Sequence, residues 1–199
     1  SSDREGERGG RAKSSVQRSL TADAGCQVRR IRACITLEQM RVSWNKTETP
    51  IIRALTFINR PRVAVQRRVT LMRSDSNLPS VGVEVLFNGS EEAFASSTRC
   101  LLHVHGGGFV SMTPKGHDDY LRHWAIQTGV PVFSIDYKKA PEFPYPYAIE
   151  ECFDVYRQIR ETNGGCLGLE GWTNTADGTS KAPLHIVGIG DSAGGNIVT

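Results

Sequence analysis

The sequence predicts an α/β fold in which a mostly parallel central sheet is flanked by helices. Three nearly continuous apolar runs are typical of strands that are covered on both faces, as in parallel sheets: residues 100–105 (CLLHVH), 130–137 (VPVFSIDY) and 184–190 (LHIVGIG). Helical patterns lie between these runs, and strands that alternate with helices form α/β folds. With 199 residues, 39 % of them hydrophobic, the chain is long enough for one domain with a buried core.

The N-terminal part of the chain precedes this pattern. Residues 1–32 hold eight Lys/Arg and four Asp/Glu, interleaved with Gly and Ser, which predicts a disordered basic arm. Residues 33–62 include a weakly amphipathic stretch and are interpreted as a helical, cap-like segment. A nucleic-acid-binding arm is the alternative for residues 1–32, but acidic residues interrupt the basic ones, so no nucleic-acid partner is expected.

The remaining elements follow in order along residues 63–199. Alternating apolar residues over 63–71 and 81–87 predict two half-buried strands. A helix is predicted over 118–129, because aspartates suit its N-terminus and a glycine suits its end. Apolar residues at i, i+3, i+4 and i+7 predict a second helix over 147–161.

Two further segments complete this domain. Residues 162–183 are Gly-rich and unpatterned, which predicts a surface insertion. A short helix-compatible run, residues 193–198, follows the last apolar strand at once.

A serine stands between two glycines where the last strand meets this short helix. Residues 190–194 (GDSAG) match G-x-S-x-G, a sharp strand-to-helix turn that exposes a serine hydroxyl above a sheet. The pattern alone is common by chance, but the strand before it and the helix after it are the setting that the chemistry requires. Ser192 is therefore the candidate catalytic nucleophile.

Three consecutive glycines follow the apolar strand at 100–105. Gly106, Gly107 and Gly108 cost entropy to order and add no side chain to a core. Backbone N–H groups can stabilise the oxyanion of acyl transfer only if no side chain blocks their approach to within about 3 Å. These amides and that of Ala193 are the candidate oxyanion hole. A flexible glycine loop or a phosphate cradle is the alternative, but no G-K-[ST] or G-x-G-x-x-G pattern accompanies the glycines.

Together, HGGGF, GDSAGGN and the intervening FSIDYKKAPEFPYPYAIEEC resemble the hormone-sensitive lipase family of α/β-hydrolases. The resemblance covers residues 63–199. It implies an α/β-hydrolase fold and hydrolysis of carboxylic esters, by a serine carboxylesterase or lipase that passes through an acyl-enzyme. It also implies structural support for the site from His105, Asp136, Tyr137, Glu142 and Asp191.

In this fold the catalytic triad runs Ser, Asp or Glu, then His along the chain. Only seven residues follow Ser192, and none is acidic or a histidine. The triad Asp and His are therefore expected beyond the chain. The chain is interpreted as the N-terminal part of the domain, incomplete at its C-terminus and inactive alone. None of the five histidines is expected to replace the missing base: His103, His105, His117, His123 and His185.

The resemblance also implies the partners and the surroundings. A small-molecule ester or an acylglycerol is the expected substrate, with a lipid surface as a second expected partner. No cofactor is expected, and the five cysteines show no metal-like clustering. The expected location is cytoplasmic, with lipid-droplet association as an extension. The alternative function is a non-catalytic ligand-binding receptor or pseudoenzyme of the same fold.

Overall fold

The computed structural model describes residues 36–45, 60–171 and 182–199. The chain divides into two compact units, residues 1–40 and 41–199. The described part of the first unit contains the start of a helix. There the Thr36 hydroxyl accepts from the Gln39 amide at 3.2 Å, while the Gln39 side chain accepts from the Thr36 amide at 3.1 Å. This reciprocal pair is a capping box.

The elements of the described chain are named in order. The helices are α1 (Leu37–Asn45), α2 (Glu91–Ala95), α3 (Asp118–Thr128), α4 (Tyr147–Glu161) and α5 (Ala193–Val198). The strands are β1 (Val65–Leu71), β2 (Val81–Phe87), β3 (Arg99–Val104), β4 (Val132–Asp136) and β5 (His185–Gly190). Two 3-10 turns, Pro114–His117 and Gly165–Leu167, precede α3 and follow α4. The strands and helices predicted within residues 63–199 are thus confirmed.

The five strands form one sheet in the order β1-β2-β4-β3-β5. The β4-β3 and β3-β5 pairs are parallel, whereas β1-β2 and β2-β4 are antiparallel. The sheet is therefore mixed, but β1, β4, β3 and β5 run in one direction and, among the described strands, only β2 runs in the other. The predicted mostly parallel sheet is confirmed.

Helices cover both faces of the sheet. On one face α4 buries Cys152, Val155 and Ile159 in the main core, which contains the inward side chains of β1 to β4. On the other face α3 packs Leu121 and Ala125 in a smaller apolar cluster. Helix α3 ends at Gly129, which has a left-handed φ of 63° and donates its N–H to the Ala125 carbonyl, as the sequence predicts.

Two predicted features differ in burial. In the segment 162–183, read from sequence as a surface insertion, Leu167 and Leu169 are buried in the main core. Strand β5, predicted from its apolar run to be covered on both faces, has Val187 at 55 % exposure. Among the described strands, β5 pairs with β3 alone, so one of its edges has no strand beside it there.

Some predictions lie outside the described residues. The basic arm at 1–32 is one of them, as are residues 46–59 of the cap-like segment and 172–181 of the insertion. No helix within the described ranges is both long enough and apolar enough to cross a membrane.

Candidate active site

The parallel pairing of β3 with β5 brings the glycine loop and the serine turn together. In that register Val104, the last residue of β3, lies opposite Gly190, the last residue of β5. Both segments therefore leave the sheet at the same edge and at the same level. The two motifs, which are far apart in the sequence, become neighbours because two strands pair.

The turn at residues 190–194 has the geometry of a strained elbow. Ser192 has φ 49° and ψ −117°, a conformation that few non-glycine residues adopt. A Cβ at Gly190 would lie 2.3 Å from the Gly194 carbonyl oxygen, and one at Gly194 would lie 1.9 Å from the Val104 carbonyl oxygen. Helix α5 can approach β3 and β5 this closely only because both positions are glycine.

Ser192 is exposed at the top of this elbow. Its carbonyl accepts from the Asn196 amide in the first turn of α5, whereas its hydroxyl has no hydrogen-bond partner among the described residues. The side chain is thus available to solvent and to a small molecule. The sequence prediction of a serine presented above the sheet agrees with this geometry.

The glycine loop turns tightly after β3. Gly107 has φ 118° and Gly108 has φ 61°, left-handed conformations that favour glycine. A Cβ at Gly107 would lie 2.2 Å from the Ser111 carbonyl oxygen. The Gly107 carbonyl accepts from the amides of Val110 and Ser111 at 3.2 and 3.1 Å. Within the described chain, the N–H groups of Gly107 and Gly108 have no acceptor.

Gly106 differs from the other two glycines. Its amide donates to Asp191 Oδ1 at 3.0 Å, and a Cβ at this position would lie 2.3 Å from Asp191 Oδ2. The Gly106 N–H group is therefore already engaged by the elbow. A role of the Gly106 amide as an oxyanion donor, which would require it to leave Asp191, stays a prediction.

His105, the residue before the three glycines, holds the loop through a hydrogen bond from its buried ring. Its ring is buried and stacks on Tyr137 with 4.2 Å between ring centroids. Burial lowers the pKa of His105 to about 3, so the ring is neutral at pH 7 and its Nδ1 donates to the Gly106 carbonyl at 2.6 Å. The Tyr137 hydroxyl donates to the His105 carbonyl at 2.9 Å. Both residues thus hold the loop.

Asp136, at the end of β4, is held by cations. Burial tends to raise the pKa of Asp136, but the hydrogen bond from Arg68 and the charge of Lys139 outweigh it, so that the pKa is lowered. Arg68 Nη2 lies 2.8 Å and Lys139 Nζ 3.4 Å from the carboxylate. This ion-pair group orders the chain after β4 and makes no contact with Ser192.

Glu142 lies at the surface near the loop and pairs with Arg41 of α1. The Arg41 guanidinium donates to both carboxylate oxygens, at 2.9 and 2.5 Å. It also donates to the carbonyls of Ala140 and Val110, at 2.7 and 3.4 Å. Arg41 therefore ties the loop exit to residues 140–142, and the amide of Ala140 adds a bond to the Phe109 carbonyl at 2.9 Å.

Asp191 points away from Ser192 into a polar group that we name the Tyr120 cluster: Tyr120, His103, His117 and Asp191. The Tyr120 hydroxyl lies 2.7 Å from His117 Nδ1, 3.0 Å from His103 Nε2 and 3.3 Å from Asp191 Oδ1. His103 is buried, and its Nδ1 lies 2.7 Å from the Ser134 hydroxyl.

The Tyr120 cluster also has the composition of a metal site. Ligand atoms of its two histidines and its aspartate lie within 4.8 Å of one another. The Tyr120 hydroxyl, however, hydrogen-bonds to all three of these residues and occupies the space between them. These hydrogen bonds engage the same ligand atoms that a cation would need, while His117 Nε2 is buried without a hydrogen-bond partner among the described residues.

The other two histidines lie away from the elbow. His185 is the first residue of β5 and is exposed, at the end of the strand opposite to Ser192. His123 is exposed on α3. All five histidines of the chain lie in described segments, and none of them hydrogen-bonds to Ser192.

The sequence analysis did not identify Tyr120 or Arg41 as part of the site. The available signal for Tyr120 is its position three residues after His117, because residues at i and i+3 share one face of a helix. Arg41 carries no sequence signal, since its partners at residues 110, 140 and 142 are distant in the chain.

A shallow cavity of about 350 Å³ lies beside the exit of the glycine loop. Val110, Ser111 and Met112 form its side nearest the loop, and Phe143 contributes an aromatic wall. Its three cations are paired: Arg41 with Glu142, Lys138 with Glu151 and Lys139 with Asp136. The cavity thus offers an apolar surface within a neutralised rim.

Comparisons with known proteins agree with this architecture. Residues 101–199 match the family described as the alpha/beta hydrolase fold. The hormone-sensitive lipase of Mus musculus is 44 % identical over 101 residues, which are 51 % of this chain and 12 % of that lipase. That of Homo sapiens is 40 % identical over 101 residues, which are 51 % of this chain and 8 % of that protein.

Solved structures give the same result. A thermostable carboxylesterase cloned from a metagenomic library is 26 % identical with a TM-score of 0.61, over 83 % of this chain and 48 % of that one. The esterase of Pyrobaculum calidifontis has a TM-score of 0.62 at 24 % identity, over 82 % of this chain and 46 % of that one. The chain thus spans a small part of the lipases and about half of these esterases. It belongs to the α/β-hydrolase fold family, and within it its sequence is similar to hormone-sensitive lipases.

Proposed function

We propose that this chain carries the nucleophile and the oxyanion hole of a carboxylic-ester hydrolase. The observation that supports this most directly is the junction between the two motifs: the Gly106 amide donates to Asp191 Oδ1, next to the exposed, strained Ser192. A serine hydroxyl and free backbone amides at one edge of a sheet are what acyl transfer requires. The relatives described above are lipases and esterases, which agrees with this chemistry.

In the proposed reaction, Ser192 Oγ attacks the ester carbonyl carbon and gives its proton to a general base. The carbonyl π electrons move onto the oxygen, which becomes an oxyanion. Collapse of this tetrahedral intermediate breaks the bond to the alcohol oxygen, which leaves with the proton returned by the base. Water then attacks the acyl-enzyme in the same way and releases the carboxylic acid and Ser192. No cofactor or metal is needed for these steps.

The oxyanion donors that we propose are the amides of Gly107, Gly108 and Ala193. None of the three has an acceptor among the described residues, whereas the Gly106 amide is bound to Asp191. Ala193 is the first residue of α5, where backbone N–H groups lack partners within the helix. One such donor is worth about 3 kcal/mol of transition-state stabilisation.

The general base is a group other than the five histidines of this chain. His103 and His117 are occupied in the Tyr120 cluster, and His105 is held under the loop. Asp191 accepts from Gly106 and Tyr120, so it does not orient a base. In the proposed mechanism, the base and its acidic partner are therefore groups outside this set.

The proposed substrate is a carboxylic ester of small or acylglycerol type. The cavity beside the glycine loop is lined in part by Val110, Met112 and Phe143 and has its nearby lysines neutralised. An apolar acyl chain or alcohol group can pack against such a surface without leaving charges unpaired. A lipid surface is the corresponding partner for an acylglycerol.

Fluorophosphonate labelling of the full-length protein tests the nucleophile. A phosphonate that reacts with activated serines should label the wild-type protein at Ser192, as identified by peptide mass spectrometry, and should not label Ser192→Ala. Ser97→Ala is a matched control on the surface and should be labelled like the wild type. Labelling of Ser192→Ala at the same rate would remove this serine from the mechanism.

A non-catalytic ligand receptor is the second candidate. The observation that favours it is that no histidine of the chain contacts Ser192. A receptor would bind an ester in the same pocket without forming an acyl-enzyme. Saturable binding of a substrate ester by the full-length protein, without phosphonate labelling or product release, would favour the receptor over the hydrolase.

A further inference from the structure

The Tyr120 cluster stands beside the elbow and has no part in the reaction steps described above. Tyr120 is half-buried and packs on Trp124, with 4.7 Å between ring centroids. His103 and His117 are both buried. The two buried imidazoles need partners within the cluster, because a buried group without a partner is costly, whereas Asp191 is exposed.

The protons in the cluster can be counted. Burial lowers the pKa of His103 to about 4, and burial likewise lowers the pKa of His117, so each ring is neutral and carries one N–H at pH 7. A hydroxyl donates one hydrogen bond and accepts two. Asp191, as a carboxylate, can only accept. The arrangement that gives every N–H and O–H group of the cluster an acceptor has the Tyr120 hydroxyl donating to Asp191 and leaves His117 Nε2 as an acceptor without a partner.

The remaining protons then follow. His117 Nδ1–H and His103 Nε2–H donate to the Tyr120 oxygen, over 2.7 and 3.0 Å. His103 Nδ1 is left as an acceptor for the Ser134 hydroxyl at 2.7 Å. Both lone pairs and the proton of Tyr120 are used. The two imidazoles thus hold the hydroxyl with its proton directed to the carboxylate.

Asp191 connects the Tyr120 hydroxyl to the glycine loop through hydrogen bonds. Its Oδ1 atom accepts from the Tyr120 hydroxyl at 3.3 Å and from the Gly106 amide at 3.0 Å. Gly106 directly precedes the proposed oxyanion donors, so a rotation of the carboxylate would move the start of the loop. Tyr120 itself makes no hydrogen bond to the loop.

We propose that Tyr120 is a positioning residue, which acts through Asp191 to fix the Gly106 end of the oxyanion loop against the elbow. The kinetic part of this inference rests on the proposed ester hydrolysis, whereas the structural part does not. Removal of the hydroxyl should loosen the Gly106 amide and slow catalysis while leaving the substrate pocket unchanged.

Tyr120→Phe in the full-length protein tests the proposal, because it removes one oxygen atom and keeps the ring. Amide hydrogen exchange of Gly106, followed by ¹H–¹⁵N NMR, should become about tenfold faster, as expected for the loss of one supporting hydrogen bond. With p-nitrophenyl esters, kcat should fall about tenfold and KM should change less than about twofold. Tyr156→Phe, on α4, is the matched control and should leave both readouts as in the wild type.

A double-mutant cycle shows whether the effect passes through Asp191. Asp191→Ala should accelerate Gly106 exchange at least as much as Tyr120→Phe, and the combined variant should be no faster than Asp191→Ala alone, because coupled residues are not additive. Additive effects would overturn the proposal. Unchanged Gly106 exchange in Tyr120→Phe would overturn it as well.

The wild-type protein provides a measurement that no folding defect can affect. Histidine ¹⁵N spectra should show His117 as the Nδ1–H tautomer and His103 as the Nε2–H tautomer. The opposite tautomer at His117 would direct the Tyr120 proton to that ring and overturn the proposal. If Ser192→Ala were still labelled but Gly106 exchange responded to Tyr120→Phe, the proposed hydrolysis would fail while the positioning contact would stand.

Discussion

The carboxylate of Asp191 accepts a hydrogen bond from the backbone amide of Gly106 over 3.0 Å, across 85 positions of sequence. This contact joins the residue before the candidate nucleophile to the first glycine of the candidate oxyanion loop. The relative position of the two groups therefore depends on a side chain that takes no part in bond making.

Replacement of Gly107 by alanine should remove most ester hydrolysis. The new Cβ would lie 2.2 Å from the Ser111 carbonyl oxygen in a residue with φ 118°, so the loop must shift and its amides move away from the oxyanion. Loss of one oxyanion donor costs about 100-fold or more in kcat. Steady-state kinetics of the full-length protein with p-nitrophenyl butyrate measures this change.

Gly129→Ala is the matched control for Gly107→Ala. Gly129 also has a positive φ, of 63°, but a Cβ there would meet nothing within 4 Å. Its substitution should lower the free energy of unfolding by about 1 kcal/mol and leave kcat unchanged. A similar loss of activity in both variants would attribute the effect to general instability.

Alanine at Gly194 should disrupt the elbow itself. A Cβ there would lie 1.9 Å from the Val104 carbonyl oxygen, at the end of β3, so α5 must move away from the sheet. We expect a loss of unfolding free energy of about 3 kcal/mol, in the range for overpacking of a close-packed contact, together with loss of phosphonate labelling. Urea denaturation and labelling of the same preparation measure both.

Gly188→Ala, two residues before the end of β5, controls for the change of glycine to alanine. Its Cβ would make an ordinary contact at 3.6 Å with Val198. Stability and labelling should therefore remain close to the wild type. If Gly188→Ala were equally destabilised, a methyl group added elsewhere on β5 would have the same effect, which would contradict the specific role of Gly194.

Arg41 should lower the pH at which the Glu142 carboxyl group titrates. Hydrogen bonds from Arg41 lower the pKa of Glu142 to about 2 from its usual value of 4.5. A carboxylate whose pKa is lower in the folded state stabilises the fold above its unfolded pKa, and this contribution is lost as the pH falls through the folded value. In Arg41→Ala, the NMR titration midpoint of Glu142 should move back towards 4.5.

Arg41→Lys distinguishes charge from geometry at the same contact. Lysine keeps the charge but cannot hold two carboxylate oxygens and two carbonyls in one plane. The Glu142 midpoint should therefore lie between those of the wild type and Arg41→Ala. A midpoint near 4.5 in the wild type would show that the pair does not form in solution.

Glu151 should be important for stability. The side chain is fully buried, and it accepts from Lys138 Nζ at 3.0 Å and from the Lys138 amide at 2.5 Å. Glu151→Ala leaves the Lys138 amide without this acceptor and leaves Lys138 Nζ with the Ser80 carbonyl as its partner, and should lower the free energy of unfolding by about 3 kcal/mol. Glu150→Ala, exposed on the same helix, should change it by less than about 0.5 kcal/mol. Urea denaturation of both variants gives the comparison.

Imidazole in the buffer should activate the 199-residue chain. Because none of its histidines contacts Ser192, the chain alone should not turn over p-nitrophenyl acetate above the buffer rate. An added base can take the Ser192 proton while the loop amides hold the oxyanion. The imidazole-dependent rate should therefore exceed that of Ser192→Ala. Equal rates for the two proteins at every imidazole concentration would contradict the proposed oxyanion hole.

Much of the fold could be predicted from the sequence, because the spacing of apolar residues indicates which face of a helix or strand is buried. The apolar runs at 100–105 and 130–137 identify strands, and Gly129 marks the end of α3, since each signal is local. The exposure of Val187 could not be predicted in this way. An apolar run indicates that a strand can be covered, not whether another element covers it.

In the candidate site, too, the residues with a local sequence signal were predicted and those that depend on distant contacts were not. Ser192 and the three glycines were predicted because a turn with special backbone angles needs particular residues at fixed spacing. The separate role of Gly106 was not, because its acceptor on Asp191 is distant in sequence and depends on one side-chain torsion. Tyr120 could not be predicted either, because its partners lie on β3, on the 3-10 turn before α3 and on the elbow.

The register of β3 against β5, with Val104 opposite Gly190, has a consequence for heat inactivation. The two halves of the candidate site are attached to adjacent strands rather than to a hinge or a lid, so they cannot separate unless the backbone ladder between them opens. Among the described strands β5 lies at the edge of the sheet, and edge ladders open at a lower free energy than central ones. Thermal loss of Ser192 reactivity should therefore begin before the cooperative melting of the rest of the sheet.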